Sequence, residues 1–201
     1  MIKAGRVNIS VFTVIGVLCV FAVDFSIFTL LAVVAMALHE AMHLLLLKHF
    51  GVKIEKINVY PFGIDILADM RRLSYKAELL CVLAGCMANL FAGCVCCVIL
   101  KVYPSKELLF FAFSNFVFGV GNLVPLPCFD GGRAVKLVVE SLFLPDTAYS
   151  VWRAFSFLSP ILFFLFSMVI VFFSKCNFSI VIGVAYAALC SVILEKREKT
   201  T

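Results

Sequence analysis

Long apolar stretches separated by short polar segments dominate this chain. They run over residues 7–23, 26–47, 77–100, 107–126, 149–173 and 178–194, and each approaches the roughly 20 residues that a helix needs to cross a bilayer. Pro125 and Pro127 interrupt the fourth stretch, and the apolar piece that follows, 134–144, is too short to span alone. We therefore extend the fourth span to residue 144, with a break over 125–132. The pattern predicts an all-α polytopic membrane protein with about six transmembrane helices.

Composition agrees with a membrane protein. Hydrophobic residues make up 64% of the chain and charged residues 14%, and the mean hydropathy is +1.12. A soluble domain of this composition would lack the polar surface to cover its core. The 201 residues also leave no room for a sizeable soluble domain beside the predicted spans.

The positive residues predict the orientation of these spans. If the N-terminus is cytosolic, all of the seventeen Lys and Arg residues except Lys101, Lys106 and Lys175 fall on the cytosolic side. This bias follows the positive-inside rule, so we expect both termini in the cytosol. The net charge of +5 then reflects orientation and contact with anionic lipid, and we do not expect nucleic-acid binding.

The second apolar stretch carries the motif His-Glu-x-x-His at His39, Glu40 and His43. Residues four apart on a helix lie on one face about 6 Å apart, so both imidazoles can bind one Zn²⁺ ion. Glu40 lies beside them, where it can act as the catalytic base. The alternative is two core histidines with an incidental glutamate, but three ionisable groups inside a span are costly without an ion or another partner.

A catalytic zinc ion takes a third protein ligand, and His49 is one candidate. Its spacing of ten from His39 imitates the metzincin pattern, in which a glycine turns the chain back towards the metal. Leu46 occupies that position here. If the helix continues through Leu46, His49 lies about 15 Å along the axis from His39, too far to share its ion. We therefore expect His49 to lie at the membrane interface.

Asp130 is the stronger candidate for the third ligand. It follows the proline pair and precedes Gly131 and Gly132, a sequence that unwinds a helix at membrane depth. An aspartate in such a break requires a cation, which the histidines' metal provides. The alternative is that Asp130 caps the helix that follows, which explains the glycines but not the upstream prolines.

These motifs resemble the site-2 protease family of intramembrane zinc metalloproteases (M50 type), and their arrangement is similar to that of its sporulation-type branch. The likeness includes Asn122-x-x-Pro-x-Pro-x-x-Asp130-Gly-Gly and the stretches 50–54, 60–63 and 84–89. Cys86 departs from the pattern, since the family commonly has proline there. The resemblance implies a small membrane-associated β-hairpin between the second and third spans. Many members also carry a regulatory C-terminal domain, for which 201 residues leave no room, so we expect a single protease domain over 1–201 without that domain or a PDZ insertion.

The resemblance also implies a function. We expect cleavage of a membrane-embedded or membrane-tethered protein near the cytosolic face of a bacterial cell membrane. A sigma-factor precursor of sporulation is the implied substrate, and an inhibitory membrane protein is a possible partner. Asn122 either holds the substrate backbone or satisfies carbonyls freed by the prolines.

Two other functions are weighed against proteolysis. A membrane metal-ion transporter would need ionisable residues along a path across the bilayer, and outside the proposed site the spans contain almost none. A proteolytically inactive binding homologue would be expected to have lost a ligand or Glu40, and all of them are present.

Overall fold

A computed structural model describes residues 2–4, 7–9, 11–60, 63–70 and 73–174. The chain divides into two compact units, Met1–Gly121 and Asn122–Thr201. The elements in chain order are β1 (Ile2–Ala4), β2 (Val7–Ile9), α1 (Val11–Val23), α2 (Ile27–His49), β3 (Ile54–Tyr60), β4 (Gly63–Ala68), α3 (Tyr75–Leu100), α4 (Lys106–Asn122), α5 (Asp130–Leu142) and α6 (Pro145–Ser174).

The strands form one sheet in the first unit, in the order β1-β2-β3-β4. Strands β3 and β4 pair antiparallel, so the hairpin predicted between the second and third spans is confirmed. Strand β2 pairs with β3 in parallel, and across this pair the amide of Asn8 donates a hydrogen bond of 3.0 Å to the buried Asn58 Oδ1. The hairpin is therefore part of a larger sheet, in which β4 is a terminal strand.

The beginning of the chain differs from the prediction. Residues 7–9, which we expected to open the first span, form β2 instead. The polar Asn8 between the apolar Val7 and Ile9 has the period of two that suits a strand, and hydropathy averaged over a longer window hides it. The helix that follows, α1, has 13 residues, a length of about 20 Å, which is shorter than the hydrocarbon core of a bilayer.

Among the described residues, three helices are long and apolar enough to cross a membrane: Ile27–His49, Tyr75–Leu100 and Pro145–Leu165. Large apolar side chains on α3 such as Met87, Phe91 and Val98 are more than half exposed, as expected for a helix that faces lipid. These features support a membrane protein. The predicted span 178–194 lies outside the described residues, and a total of six spans stays a prediction.

Helix α2 begins and ends at residues suited to those positions. The Ser26 hydroxyl accepts a hydrogen bond from the Thr29 backbone amide, which satisfies one of the amides exposed at the helix start. Gly51, just past the end, has φ of 68°, a conformation that favours glycine. The helix runs through Leu46 to an exposed His49, so the expected continuation past Leu46 is confirmed.

The zinc motif faces α3. The buried residues of α2 recur every fourth position, on one face: Ala35, His39, His43 and Leu47. The buried face of α3 is made mainly of small residues: Cys81, Ala84, Gly85, Cys86, Asn89, Gly93 and Cys96. Small side chains let two helices approach closely, and the fully buried Asn89 amide donates to the Ala35 carbonyl of α2 at 3.1 Å.

In the second unit, a tight turn leads into α5. The Leu126 amide donates to the Val124 carbonyl at 2.7 Å, and the Phe129 amide donates to the Leu126 carbonyl at 2.9 Å. Helix α5 packs on α6, where the Lys136 ammonium lies 5.7 Å from the centre of the Trp152 ring. The non-helical stretch between α4 and α5 covers residues 123–129, so it overlaps the predicted break over 125–132, but residues 130–132 already belong to α5.

The turn requires glycine at the start of α5. A Cβ on Gly132 would overlap the carbonyl group of Leu126, which is backbone and cannot move aside cheaply. We expect Gly132→Ala to destabilise the protein by about 1–3 kcal/mol, seen as a fall of several degrees in Tm in detergent. Gly121→Ala is the control, since a Cβ there meets no described atom within 4 Å. An equal Tm for the two variants would contradict this requirement.

Candidate metal centre

The two histidines of the motif converge on one point. His39 and His43 are only 5% and 9% exposed, and their Nε2 atoms lie 3.2 Å apart. In a tetrahedral site with Zn–N bonds of 2.0–2.1 Å, two ligand nitrogens stand roughly 3.3 Å apart. The spacing of these two nitrogens therefore fits a pair of ligands on one zinc ion.

The backbone of α3 fixes which nitrogen of His43 can bind a metal. His43 Nδ1 lies 2.8 Å from the carbonyl oxygen of Cys81. A carbonyl only accepts hydrogen bonds, so Nδ1 carries the proton and, in the neutral ring, Nε2 keeps its lone pair. Metal-binding histidines are commonly oriented by such a second hydrogen bond. The Cys81 carbonyl thus holds the His43 lone pair on the side that faces His39.

Gly85 provides the space that the imidazoles occupy. A Cβ at this position would lie 2.5 Å from His43 Nε2 and 2.8 Å from His39 Cε1 and Nδ1. Both distances are far below van der Waals contact, so any side chain on Gly85 would displace the rings. The residues of α2 and α3 together fit a zinc ion. They provide two convergent imidazoles, a carbonyl that orients one of them, and a cradle, by which we mean the space beside Gly85 that no side chain fills.

A thiol also lies beside the histidines. Cys86 is completely buried, and its Sγ atom is within 4.8 Å of a ring nitrogen of His39. In the sequence, Cys86 is a departure from the family pattern and Gly85 is part of a family-like stretch, and neither by itself indicates a metal site. The repeat of small or polar residues at Cys81, Gly85, Asn89 and Gly93 is the signal that points to this face of α3.

Glu40, the predicted base, follows His39 on α2 and is half-buried. Adjacent residues on a helix point about 100° apart, so Glu40 projects from the same turn as His39 without sharing its direction. This position is compatible with a base that acts on a molecule at the metal. The catalytic role of Glu40 stays a prediction.

Asp130, in the second unit, is the first residue of α5 and only 9% exposed. Phe129 occupies the N-cap position, so the alternative of Asp130 as the N-cap residue does not match the helix boundary. A carboxylate in the first helical turn is favoured by the helix dipole. Asn122 is the last residue of α4 and half-buried. The roles of Asp130 as a zinc ligand and of Asn122 at the substrate stay predictions.

Comparison with known proteins extends this description. Residues 104–167 match the model of peptidase family M50. The zinc metalloprotease MJ0392 of Methanocaldococcus jannaschii is 29% identical over 126 residues, which cover 59% of this chain and 36% of that relative. The fold is similar to the site-2 protease from the same organism, with a TM-score of 0.66 and 18% identity over 95% of this chain and 92% of that structure.

The family match and the curated relative are both metallopeptidases, and the solved structure shows a shared fold. The comparisons show that the fold is similar to that of a site-2 protease, and the likeness to zinc metallopeptidases supports the metal chemistry that the histidine pair indicates. This chain spans about a third of the length of the curated relative that it matches. The predicted sporulation-type branch stays a prediction.

Proposed function

We propose that this chain is an intramembrane zinc metalloprotease that cleaves membrane-embedded or membrane-tethered proteins. The observation that carries the proposal is the convergence of His39 and His43, whose Nε2 atoms lie 3.2 Å apart against the cradle at Gly85. The apolar helices that bear this centre support an action within the bilayer. The peptidase family and the zinc metalloprotease that the chain matches support the same chemistry.

The zinc ligands in this proposal are His39, His43 and Asp130. A catalytic zinc site uses three protein ligands and leaves one position open for water or substrate, and the motif supplies only two. Asp130 is buried, and a buried carboxylate is stable only when it is paired with a cation or well hydrogen-bonded. Its carboxylate completes a donor set of two imidazoles and one oxygen, a combination typical of zinc peptidases.

Peptide hydrolysis follows from this arrangement. A zinc ion held by these residues would lower the pKa of a water molecule and polarise the carbonyl of the scissile bond. Glu40 takes the proton from the attacking water and delivers it to the leaving amine. His43 keeps its orientation throughout, because its Nδ1 proton stays bonded to the Cys81 carbonyl.

The substrate must unwind before cleavage, since the amides of a helix are bonded within the helix. Strand β4 is the terminal strand of the sheet and presents a row of backbone groups to which an unwound segment can add as a further strand. Strand pairing of this kind binds the backbone of the substrate, so it depends little on the substrate's sequence. Asn122 either binds the substrate backbone as well or satisfies the carbonyls freed at Pro125, and both roles remain open.

The substrate class is narrowed by the resemblance to the sporulation-type branch. It favours a membrane-tethered sigma-factor precursor that is cut near the cytosolic face. The distribution of Lys and Arg separately favours both termini of the protease in the cytosol. An inhibitory membrane protein would keep the protease silent until it is needed. Co-expression with a tethered precursor tests the substrate: a shortened product is expected, and an intact precursor beside an active protease would exclude this substrate.

Metal dependence tests the proposed ligand set. The purified full chain in detergent should lose cleavage of a membrane-peptide substrate when zinc is removed by a chelator, and regain it when Zn²⁺ is restored. We expect Asp130→Ala to lower zinc affinity by at least about 10–100-fold, because losing a ligand costs no less than losing an outer-shell partner. Zinc affinity is measured by competition with a chromogenic chelator.

The matched control is Asp146→Ala, which removes an exposed aspartate from the first turn of α6. It should keep the zinc affinity and the activity of the unmodified chain. If Asp130→Ala binds zinc as tightly as this control, the third ligand is a different residue. If cleavage survives complete removal of zinc, the proposed metalloprotease function is wrong.

A further inference from the structure

Beside the ligands proposed for the hydrolytic reaction, the metal centre contains one further group that can bind zinc, the Cys86 thiol. Cys86 lies on α3 beside the cradle at Gly85, is completely buried, and places its sulfur within 4.8 Å of a ring nitrogen of His39. A nitrogen and a sulfur on one tetrahedral zinc ion stand roughly 3.5 Å apart, given bonds of about 2.0–2.1 and 2.3 Å. The separation of up to 4.8 Å exceeds this spacing by at most about 1.3 Å.

We propose that Cys86 is a zinc ligand that closes the metal centre and holds the protease in a latent form. This inference rests on the proposed function, because the metal must be the one that His39 and His43 bind. With Asp130 as third ligand, the Cys86 thiolate is the fourth, and a four-ligand site leaves no position for water. The zinc–sulfur bond would have to break, with the thiolate taking up a proton from solvent, before water and substrate could enter.

Two observations beyond the presence of a cysteine support this assignment. The neighbouring His39 and His43 nitrogens already converge with the spacing of zinc ligands, so the thiol adjoins a site built for a metal. The cradle also brings the α3 backbone against the imidazoles, so the residue after Gly85 is carried next to them. The thiolate, a soft ligand with high affinity for zinc, competes well with water at such a position.

X-ray absorption at the zinc edge tests the inference directly, on the full chain loaded with one equivalent of Zn²⁺. The unmodified protein is expected to show a sulfur neighbour at about 2.3 Å in addition to nitrogen and oxygen at about 2.0–2.1 Å. The sulfur neighbour should be lost in Cys86→Ser. Cys96→Ser is the matched control, because Cys96 is also buried on α3 but lies about 15 Å along the helix from Cys86; it should keep the sulfur neighbour.

The possible outcomes separate this inference from the function on which it rests. A zinc spectrum with only nitrogen and oxygen neighbours in the unmodified protein overturns the role of Cys86 and leaves the protease proposal intact. This outcome is measured on the unmodified protein and needs no variant. The inference can therefore be tested even if Cys86→Ser fails to fold. A sulfur neighbour that persists in Cys86→Ser assigns the sulfur to another cysteine and also overturns the inference. Zinc retained unchanged in His39→Ala contradicts the metal centre itself, and both proposals then fail.

Discussion

The Glu40→Gln variant is expected to keep its zinc and to lose cleavage by about 10²–10⁴-fold, the range that general acid–base catalysis contributes. Glutamine has nearly the size of glutamate, but it cannot take a proton from water and pass it to the leaving amine. The two histidines and their contact with the Cys81 carbonyl are left untouched. The measurement is the cleavage rate of a membrane substrate, beside the zinc content of the same protein preparation.

Glu140→Gln provides the control, since Glu140 is an exposed glutamate on α5. It should cleave at the rate of the unmodified chain. Full activity in Glu40→Gln would remove Glu40 from the reaction and with it the proposed mechanism. A metal transporter becomes the better description under two conditions. Zinc flux in cells would be unaffected in Glu40→Gln, and neither Glu40→Gln nor Glu140→Gln would change cleavage.

The pairing of the two motif histidines could be predicted because helix geometry alone decides it. Four residues advance a helix by about 6 Å and bring the chain back to the same face, whatever surrounds it. The structure adds the orientation of each ring, and this depends on the facing helix. The Cys81 carbonyl that orients His43 is a backbone atom, so no side-chain pattern in the sequence identifies it.

The face of α3 that meets the histidines was harder to predict for another reason. Helices α2 and α3 are apolar on all sides, so the contrast between hydrophobic and polar faces, which marks the buried side of a soluble helix, is missing. Packing in a bilayer selects small residues instead, as at Gly85 and Gly93. The four-residue repeat of small or polar positions carries this signal in the sequence, but the high hydropathy of the whole span masks it.

The break between α4 and α5 shows the opposite case. Pro125 and Pro127 cannot donate backbone hydrogen bonds, so the interruption of the helix could be expected from the sequence. The exact conformation of the turn could not be predicted. Glycine is needed at Gly132 because the Leu126 carbonyl lies against the start of α5, and this close approach is visible only in the structure. The N-terminal strands were missed because each has only three residues, too few for the period of two to stand out from an apolar span.

The largest structural effect on the metal centre is expected from Gly85→Ala. The new Cβ would lie 2.5 Å from His43 Nε2, so the imidazoles and the methyl group cannot occupy their places together. Either His43 gives up its bond to the Cys81 carbonyl or α3 moves away from α2. In both cases the two ligand nitrogens separate, and we expect zinc affinity to fall by about 10–100-fold or more, with cleavage falling in parallel.

Gly93→Ala separates this effect from a general loss of packing. Gly93 lies on the same face of α3, and a Cβ there would lie 3.0 Å from the Phe116 ring, remote from the metal centre. Both variants should lose stability by about 1–3 kcal/mol, because both overfill a helix contact. Only Gly85→Ala should lose zinc, since only its methyl group displaces ligands. Equal zinc affinity in the two variants would show that the imidazoles do not rest against Gly85 when they bind the metal.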